Sequence, residues 1–483
     1  MRAFRDPLLI IIIVLSLVVS SSTLTRGHDW GDDFASYIMQ AKSILNGGTQ
    51  EFVEHNRFTI SESSIQIGPI AYPWGFPLIL TPFYALKGNS PLALKLPSLF
   101  FFGGFLVCLF VLTKNRFTRT ESLLLVSVFA FNPMLVKFLN QILSDIPFLF
   151  FSTLALLLMV NGEKHKAHDD VMLGVTISFA FFIRTTGILL LASFLVLEFF
   201  KGWTNRTDHE LVRKNLWNAF IVCGSFGVLW IIYALLFPGG GESYFAQYQG
   251  FRLENAPDHI NAYFHVFSLF FGETTIWRNV YYILFVFFLI GLWMRRKEET
   301  IFIIFSLLWM ILLVTWPAWQ GPRFIFPLLP IFIYFTFQGM KTILQKLSEG
   351  RQVSGQRVFI GFWLLIIGIF LFNSSINAYN ILSKDRATTG PFDEYSTEVY
   401  EFIKRNTPPD SIVVFFKPRA MRLFTDRDAF MSFECKRLPL GDYVVISKKA
   451  ENSQVPVDQI GSCNLPLDDV YENRRFIVYK ILK

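Results

Sequence analysis

Six side chains in this sequence have types and positions that could do chemistry together. Asp32 and Asp33 lie in "HDWGDDFASYIMQAKSILNGG", just after the first strongly apolar run. Asp145 lies in "NPMLVKFLNQILSDIPFLF", with Lys137 two turns earlier; Arg184 lies in "FAFFIRTTGILLLASF" and Arg323 in "WPAWQGPRFIFPLLP". A carboxylate can take a proton from a hydroxyl as that hydroxyl attacks. A guanidinium can hold a phosphate by two parallel contacts, and an ammonium can hold it as a point charge. Each residue also has a bland explanation. Asp32 and Asp33 could cap a helix or be solvated in a loop, and the remaining acids and bases could pair as structural ion pairs. Read as a set, acids and bases at one depth on one face predict a polar cavity at a membrane surface, because ionisable groups at that depth are usually functional.

The elements around them are apolar helices. Of the 483 residues, 52% are hydrophobic and only 17% charged. Runs such as "PLLIIIIVLSLVVSSS", "LFFFGGFLVCLFVLTK", "FIVCGSFGVLWIIYALLF" and "VFIGFWLLIIGIFLF" approach the length that crosses a bilayer. The formal net charge of +7 is gathered in short loops, around Arg2 and Arg5, Lys114 to Arg119, Lys164 and Lys166, Lys201 to Lys214, Arg295 to Lys297 and Lys341 to Arg357. Placing these clusters in the cytoplasm predicts about eleven spans, with the first a signal anchor rather than a cleaved peptide. The positive balance is therefore a topology signal and implies no nucleic-acid partner. On this path the loop of Asp32 and Asp33, the turn at Arg184, the loops 239–278 and 317–323 and the C-terminal tail all face outward.

An all-α polytopic membrane domain is expected over 1–378, including a first outer loop over 24–91. In that loop Phe34, Ile38, Ala41 and Leu45 recur at helical spacing, and this face is expected to rest on the membrane. Tyr72 and Trp74 suit the headgroup level, and the prolines of "GPIAYPWGFPLILTPFYAL" predict a kinked interfacial helix. Two short helices meeting at "RTTG" spare Arg184 the cost of burial in hydrocarbon. Over 379–483, "YEFIKRNTPPDSIVV", "DYVVISK" and "RFIVYKIL" predict a small α/β domain outside. Cys435 and Cys463, both in that tail, are expected to pair.

Taken in order, these segments resemble the C-type glycosyltransferase (GT-C) superfamily, its protein mannosyltransferase-like and aminoarabinose transferase-like branch above all. "GDDFASYIMQAKSIL" is similar to the acidic motif of that family's first outer loop, and "YPWGFPLILTPFYAL" to its proline-rich stretch. "NPMLVKFLNQILSDIPFLF" matches its N-P to S-D segment. "FIRTTG" resembles its R-P-x-G turn with Thr185 in place of proline. "GPRFIFPLLP" resembles its late span with Phe324 in place of tyrosine. The resemblance implies transfer of a sugar from a polyprenyl-phosphate donor to a lipid, glycan or protein acceptor on the outer face of the cell membrane, the N-terminus being cytoplasmic. It implies Asp33 as the catalytic acid of the first motif, because Tyr37 and Ala41 then fall at matching spacing, with Asp32 as the alternative. It implies Asp145 as the second acid. Arg184, Arg323 or Lys137 would meet the donor phosphate. No cofactor is required, although two carboxylates are compatible with a divalent cation.

Other constellations add little. His28, His55, His259 and His265 lack the spacing of a zinc site and read as surface histidines. Nothing matches a Walker loop, an HExxH helix or a nucleophile elbow. The aromatic loop with Tyr244, Phe245, Tyr248 and Phe251 reads as an interfacial anchor. The rival class is a transporter or flippase for a lipid-linked or small anionic substrate, which would show an inverted repeat; none is visible.

Overall fold

The computed structural model describes residues 6–65, 67–160, 166–240, 252–317, 321–348, 354–449 and 451–483. Among them, six helices are long and apolar enough to cross a membrane: Pro91–Thr113, Thr185–Thr204, His209–Leu236, Thr275–Arg295, Pro322–Leu347 and Gly355–Ser383. A seventh is the pair Arg119–Ala130 and Pro133–Leu139, bent by 53°, where Pro133 supplies no backbone donor to continue the helix. Pro7–Ser22, Asp145–Val160 and Thr300–Thr315 are apolar but have only 16 residues each. Length and composition thus mark fewer crossings than the charge pattern predicts, because several apolar runs fold as short helices. The chain is a multi-pass membrane protein. Its helix His209–Leu236 leaves Leu216, Trp217, Phe220, Ile231, Ile232 and Leu235 exposed, an apolar face too continuous for water.

Helices Pro322–Leu347 and Gly355–Ser383 are long enough to link two ends of the bundle. At one end the basic loops are pinned by buried acids: Arg116 pairs with Glu299, which also accepts from the Tyr334 hydroxyl at 2.7 Å, and Lys341 reaches Glu121 at 2.8 Å. Glu121 and Glu299 are both buried, so each needs that partner.

The other end carries the first long loop and the C-terminal domain. The loop forms three helices, Asp33–Asn46, Thr49–Glu62 and Gly75–Lys87. The first packs inside the protein rather than on a membrane, which corrects the expectation. Phe34, Ile38 and Ala41 are fully buried, Phe34 stacks on His28 and touches Phe392, and only Leu45 remains exposed. Trp74 is likewise buried, its indole N–H donating to the Pro238 carbonyl at 3.0 Å.

The last long helix runs Gly355–Ser383, so the domain boundary expected at 379 falls inside it. Beyond it, helices Glu394–Asn406 and Pro418–Thr425 pack with five strands. These are β1 (Ile412–Phe415), β2 (Asp428–Phe430), β3 (Tyr443–Ser447), β4 (Leu467–Glu472) and β5 (Phe476–Ile481), in sheet order β2-β1-β3-β5-β4. β1 pairs parallel to β2 and β3, and β5 pairs antiparallel to β3 and β4. The inward residues Val413, Phe415, Val445 and Val478 are buried on one face, as alternation along strands requires. Cys435 and Cys463 are joined by a disulfide, as expected.

Candidate active site

Asp33 is the first residue of its helix, and both of its carboxylate oxygens are engaged. The Tyr72 hydroxyl donates to Oδ1 at 2.6 Å, and Arg323 Nη1 donates to Oδ2 at 2.8 Å. Burial opposes charge here, but Arg323 and Tyr72 outweigh it and hold the Asp33 carboxyl below the usual carboxylate range. Asp33 is thus ionised at neutral pH and only accepts.

Asp145 is the first residue of helix Asp145–Val160 and is buried. Arg184 Nη1 donates to its Oδ1, and Arg323 Nη1 lies 3.9 Å from its Oδ2. Arg323 therefore bridges the two acids. The short 3₁₀ turn Pro322–Leu328 sets its position. Arg184 ends the helix Ala167–Ile183 before the turn Thr185–Gly187, as the sequence predicts. Its guanidinium lies 4.4 Å from the Phe324 ring centre and 5.9 Å from that of Phe148, contacts that favour a cation over an aromatic face. Gly75 lets the proline-rich helix come this close: a Cβ there would stand 2.5 Å from the Phe182 carbonyl oxygen.

A run of cross-links sets the distance between the acids. Thr25 N–H donates to Asn140 Oδ1 at 2.8 Å, Gln141 Nε2 to Asp29 at 2.9 Å and Ile142 N–H to His28 Nε2 at 3.0 Å, while Tyr37 OH meets Ser144 Oγ at 3.0 Å. The segment leading into Asp145 is thus stitched to the loop that carries Asp33. Lys95, fully buried, adds its ammonium to the carbonyls of Thr25 and Gly27 and to Asn140 Oδ1, at 2.9, 2.6 and 2.8 Å.

Asp32 faces away from this pair. It occupies the N-cap position but its side chain makes no capping bond. It is buried against the C-terminal domain with Lys417 Nζ 3.6 Å from Oδ2. Burial pushes its carboxyl up, against the pull of Lys417 and Arg419. Lys137 is exposed on helix Pro133–Leu139, and among the described residues it reaches neither carboxylate. Of the six predicted side chains, four converge and two do not.

Residues 71–235 match the family of dolichyl-phosphate-mannose-protein mannosyltransferases, a stretch of less than half the chain. The whole fold has solved counterparts. One is ArnT from Cupriavidus metallidurans bound to undecaprenyl phosphate, with a TM-score of 0.61, 12% identity and 97% of each chain covered. The oligosaccharyltransferase AglB from Archaeoglobus fulgidus, in complex with an inhibitory peptide and a dolichol-phosphate, gives 0.57 at 12% identity, over 92% of this chain and 70% of that one. An Archaeoglobus fulgidus oligosaccharyltransferase tethered to an acceptor peptide gives 0.58 at 12% identity over the same shares. The chain has the GT-C glycosyltransferase fold. No curated protein matches the sequence significantly.

Within the GT-C frame, several residues of the site escape a reading of the sequence. Tyr72 reads as a headgroup aromatic, yet it is a ligand of Asp33. Tyr37 reads only as a spacing marker, yet it spans the two acidic segments. His28 reads as a surface histidine, yet it is buried, with Nδ1 on the Asp29 carbonyl at 2.8 Å and Nε2 accepting from Ile142. Lys417 and Arg419 carry no local signal, because their partners lie more than 300 residues away. Tyr244, Phe245, Tyr248 and Phe251 lie outside the described residues.

Proposed function

We propose that this protein is a membrane glycosyltransferase that moves a sugar from a polyprenyl-phosphate donor to a hydroxyl-bearing lipid, glycan or protein acceptor. The site faces the outside of the cell membrane, with the basic loops and N-terminus in the cytoplasm. One observation carries this reading: a single guanidinium, Arg323, is shared between Asp33 and Asp145 at the end of the bundle away from the basic loops.

The chemistry follows from that sharing. The sugar-bearing donor is a phosphodiester with one negative charge spread over two free oxygens, which can meet Arg323 and Arg184 together, and the phosphate gains a second charge as it leaves. As Arg323 turns to the phosphate, Asp33 Oδ2 is released while Tyr72 keeps Oδ1 in place. The acceptor hydroxyl then gives its proton to Asp33 as its oxygen forms the new bond at the anomeric carbon. The carbon–oxygen bond to the phosphate breaks on the opposite face, and the leaving phosphate takes the electron pair, its charge met by the two guanidinia. One displacement inverts the anomeric centre. Donor first, acceptor second is the order this arrangement favours. Asp145 holds Arg184 and Arg323 at the correct separation, so much of the rate comes from orientation.

The test is Asp33→Asn in purified protein reconstituted in liposomes. It is assayed with a panel of undecaprenyl-phosphate-linked hexoses and pentoses for release of undecaprenyl phosphate. Loss of a general base predicts a drop of about 10²–10⁴-fold. Undiminished turnover removes Asp33 as base, and counterflow of labelled lipid without sugar transfer returns the transporter reading.

A further inference from the structure

Arg419 belongs to the C-terminal domain, at the second residue of helix Pro418–Thr425, yet it is fully buried against the first long loop. Its Nε donates to Asn56 Oδ1 at 3.3 Å and its Nη2 to the Pro69 carbonyl. The guanidinium carbon lies 5.5 Å from the centre of the Tyr72 ring. The remaining nitrogen, Nη1, is buried with no hydrogen-bond partner.

Gly68 explains how these groups meet. Its φ of +137° is open to glycine and strained for other residues, and a Cβ there would stand 2.9 Å from the Tyr72 hydroxyl and 3.1 Å from Arg419 Nη1. Hydroxyl and guanidinium thus converge on one bare point of backbone, on the side of Asp33 that Tyr72 occupies. A fully buried cation with an open N–H is a costly way to dock two domains. Docking already has the Lys417–Asp32 ion pair at 3.6 Å.

We propose that Arg419 is a positioning residue for Asp33: from the C-terminal domain it packs its guanidinium on Tyr72 and braces Pro69, and so keeps the Tyr72 hydroxyl on Oδ1. The C-terminal domain then does more than cover the site, because its docking sets the state of the carboxylate. This rests on Asp33 as the working acid, but its test reads the carboxyl directly and needs no sugar transfer.

The full chain in nanodiscs is treated with a water-soluble carbodiimide and an amine across a pH series, and labelling of Asp33 is read by peptide mass spectrometry. The carboxyl gives its proton to a carbodiimide nitrogen and its oxygen adds to the central carbon. The amine then displaces the urea, so the pH of half-labelling follows protonation of the carboxyl. Tyr72→Phe is expected to raise that pH by about one unit, the scale of one lost hydrogen bond to a carboxylate. Arg419→Met is expected to raise it as well, Arg419→Lys by less, and the double variant by less than the two single shifts added together, since Arg419 also acts on Asp33 by its charge. Gly68→Ala pushes the same two groups from another direction and should reproduce the rise even where Arg419→Met folds poorly. The proposal is overturned if Arg419→Met and Gly68→Ala leave the midpoint where it was. It is equally overturned if the Arg419→Met shift persists undiminished without the Tyr72 hydroxyl, since Arg419 would then act by charge alone. A normal midpoint series with no turnover in any assay would sink the transferase reading and leave this one standing.

Discussion

Asp33 and Arg323 are 290 residues apart in sequence and 2.8 Å apart in the structure. Two carboxylates and two guanidinia make the site nearly neutral, and Arg323 is the member that both acids share. Arg323→Met removes the shared cation and leaves Asp33 facing Asp145 with Arg184 alone. Turnover is expected to fall by about 10²–10³-fold, as for the loss of one preorganised donor at a site of developing charge. Arg323→Lys keeps the charge but not the fork, so it should recover only part of the loss. Initial rates against donor concentration check both, with the larger effect in kcat.

The two adjacent aspartates should separate cleanly. Asp32 accepts from the C-terminal domain and touches neither Arg323 nor Arg184, so Asp32→Asn is expected to retain transfer while Asp33→Asn loses it. Asp32→Ala leaves Lys417 without its carboxylate, and that is expected to speed protease cleavage between the membrane bundle and the C-terminal domain. Limited proteolysis followed by gel electrophoresis measures it. If Asp32→Asn proves the more damaging of the two in turnover, the roles are reversed.

Acid should weaken the fold at this end of the protein before it protonates Asp33. Burial holds the His28 imidazole down to about 4, from an ordinary 6.5. Between these values the unfolded chain binds a proton that the folded chain refuses. Stability therefore falls as pH drops from about 6.5 to about 4, then levels off, by a total of about 3 kcal/mol. Asp33, held below its ordinary range, stays ionised through that window. The expected outcome is a melting temperature that declines from pH 6.5 to 4 in the native protein and much less in His28→Gln, whose amide keeps an acceptor for the Ile142 N–H. An equal decline in both would assign the acid sensitivity elsewhere.

The first outer loop marks how far the sequence could be read. Asp33, Asp145, Arg184 and Arg323 were legible because charge is rare in apolar segments and each stands at a break that proline, glycine or a polar turn announces. The strands of the C-terminal domain were legible from β-branched runs. The face Phe34, Ile38 and Ala41 has the correct period for a helix, but period says only that one side is apolar; it does not distinguish lipid from a protein neighbour. The neighbour here includes Phe392 of the distant tail. Tyr72, Lys417 and Arg419 were illegible for the same reason: a phenol or a cation declares its partner only after residues far apart in sequence are brought together.

The space between Asp33 and Asp145 also decides what metal removal should do. Two carboxylates alone would suit a hard divalent ion, but here a guanidinium already lies 2.8 Å from one and 3.9 Å from the other. Among the described residues, no third histidine, cysteine or carboxylate joins them to complete a ligand set. A divalent ion could enter only by expelling Arg323, which exchanges a fixed and correctly aimed charge for one that must also shed water. On the proposed mechanism, Arg323 and Arg184 supply what such an ion would give a phosphate leaving group: positive charge at the oxygen that gains it. Prolonged dialysis of the reconstituted protein against EDTA is therefore expected to leave sugar transfer unchanged, and added Mg²⁺ or Mn²⁺ to give no increase. Transfer that collapses on chelation and returns with either ion would mean that Arg323 leaves both acids during turnover, and that Asp33 serves as a ligand before it serves as a base.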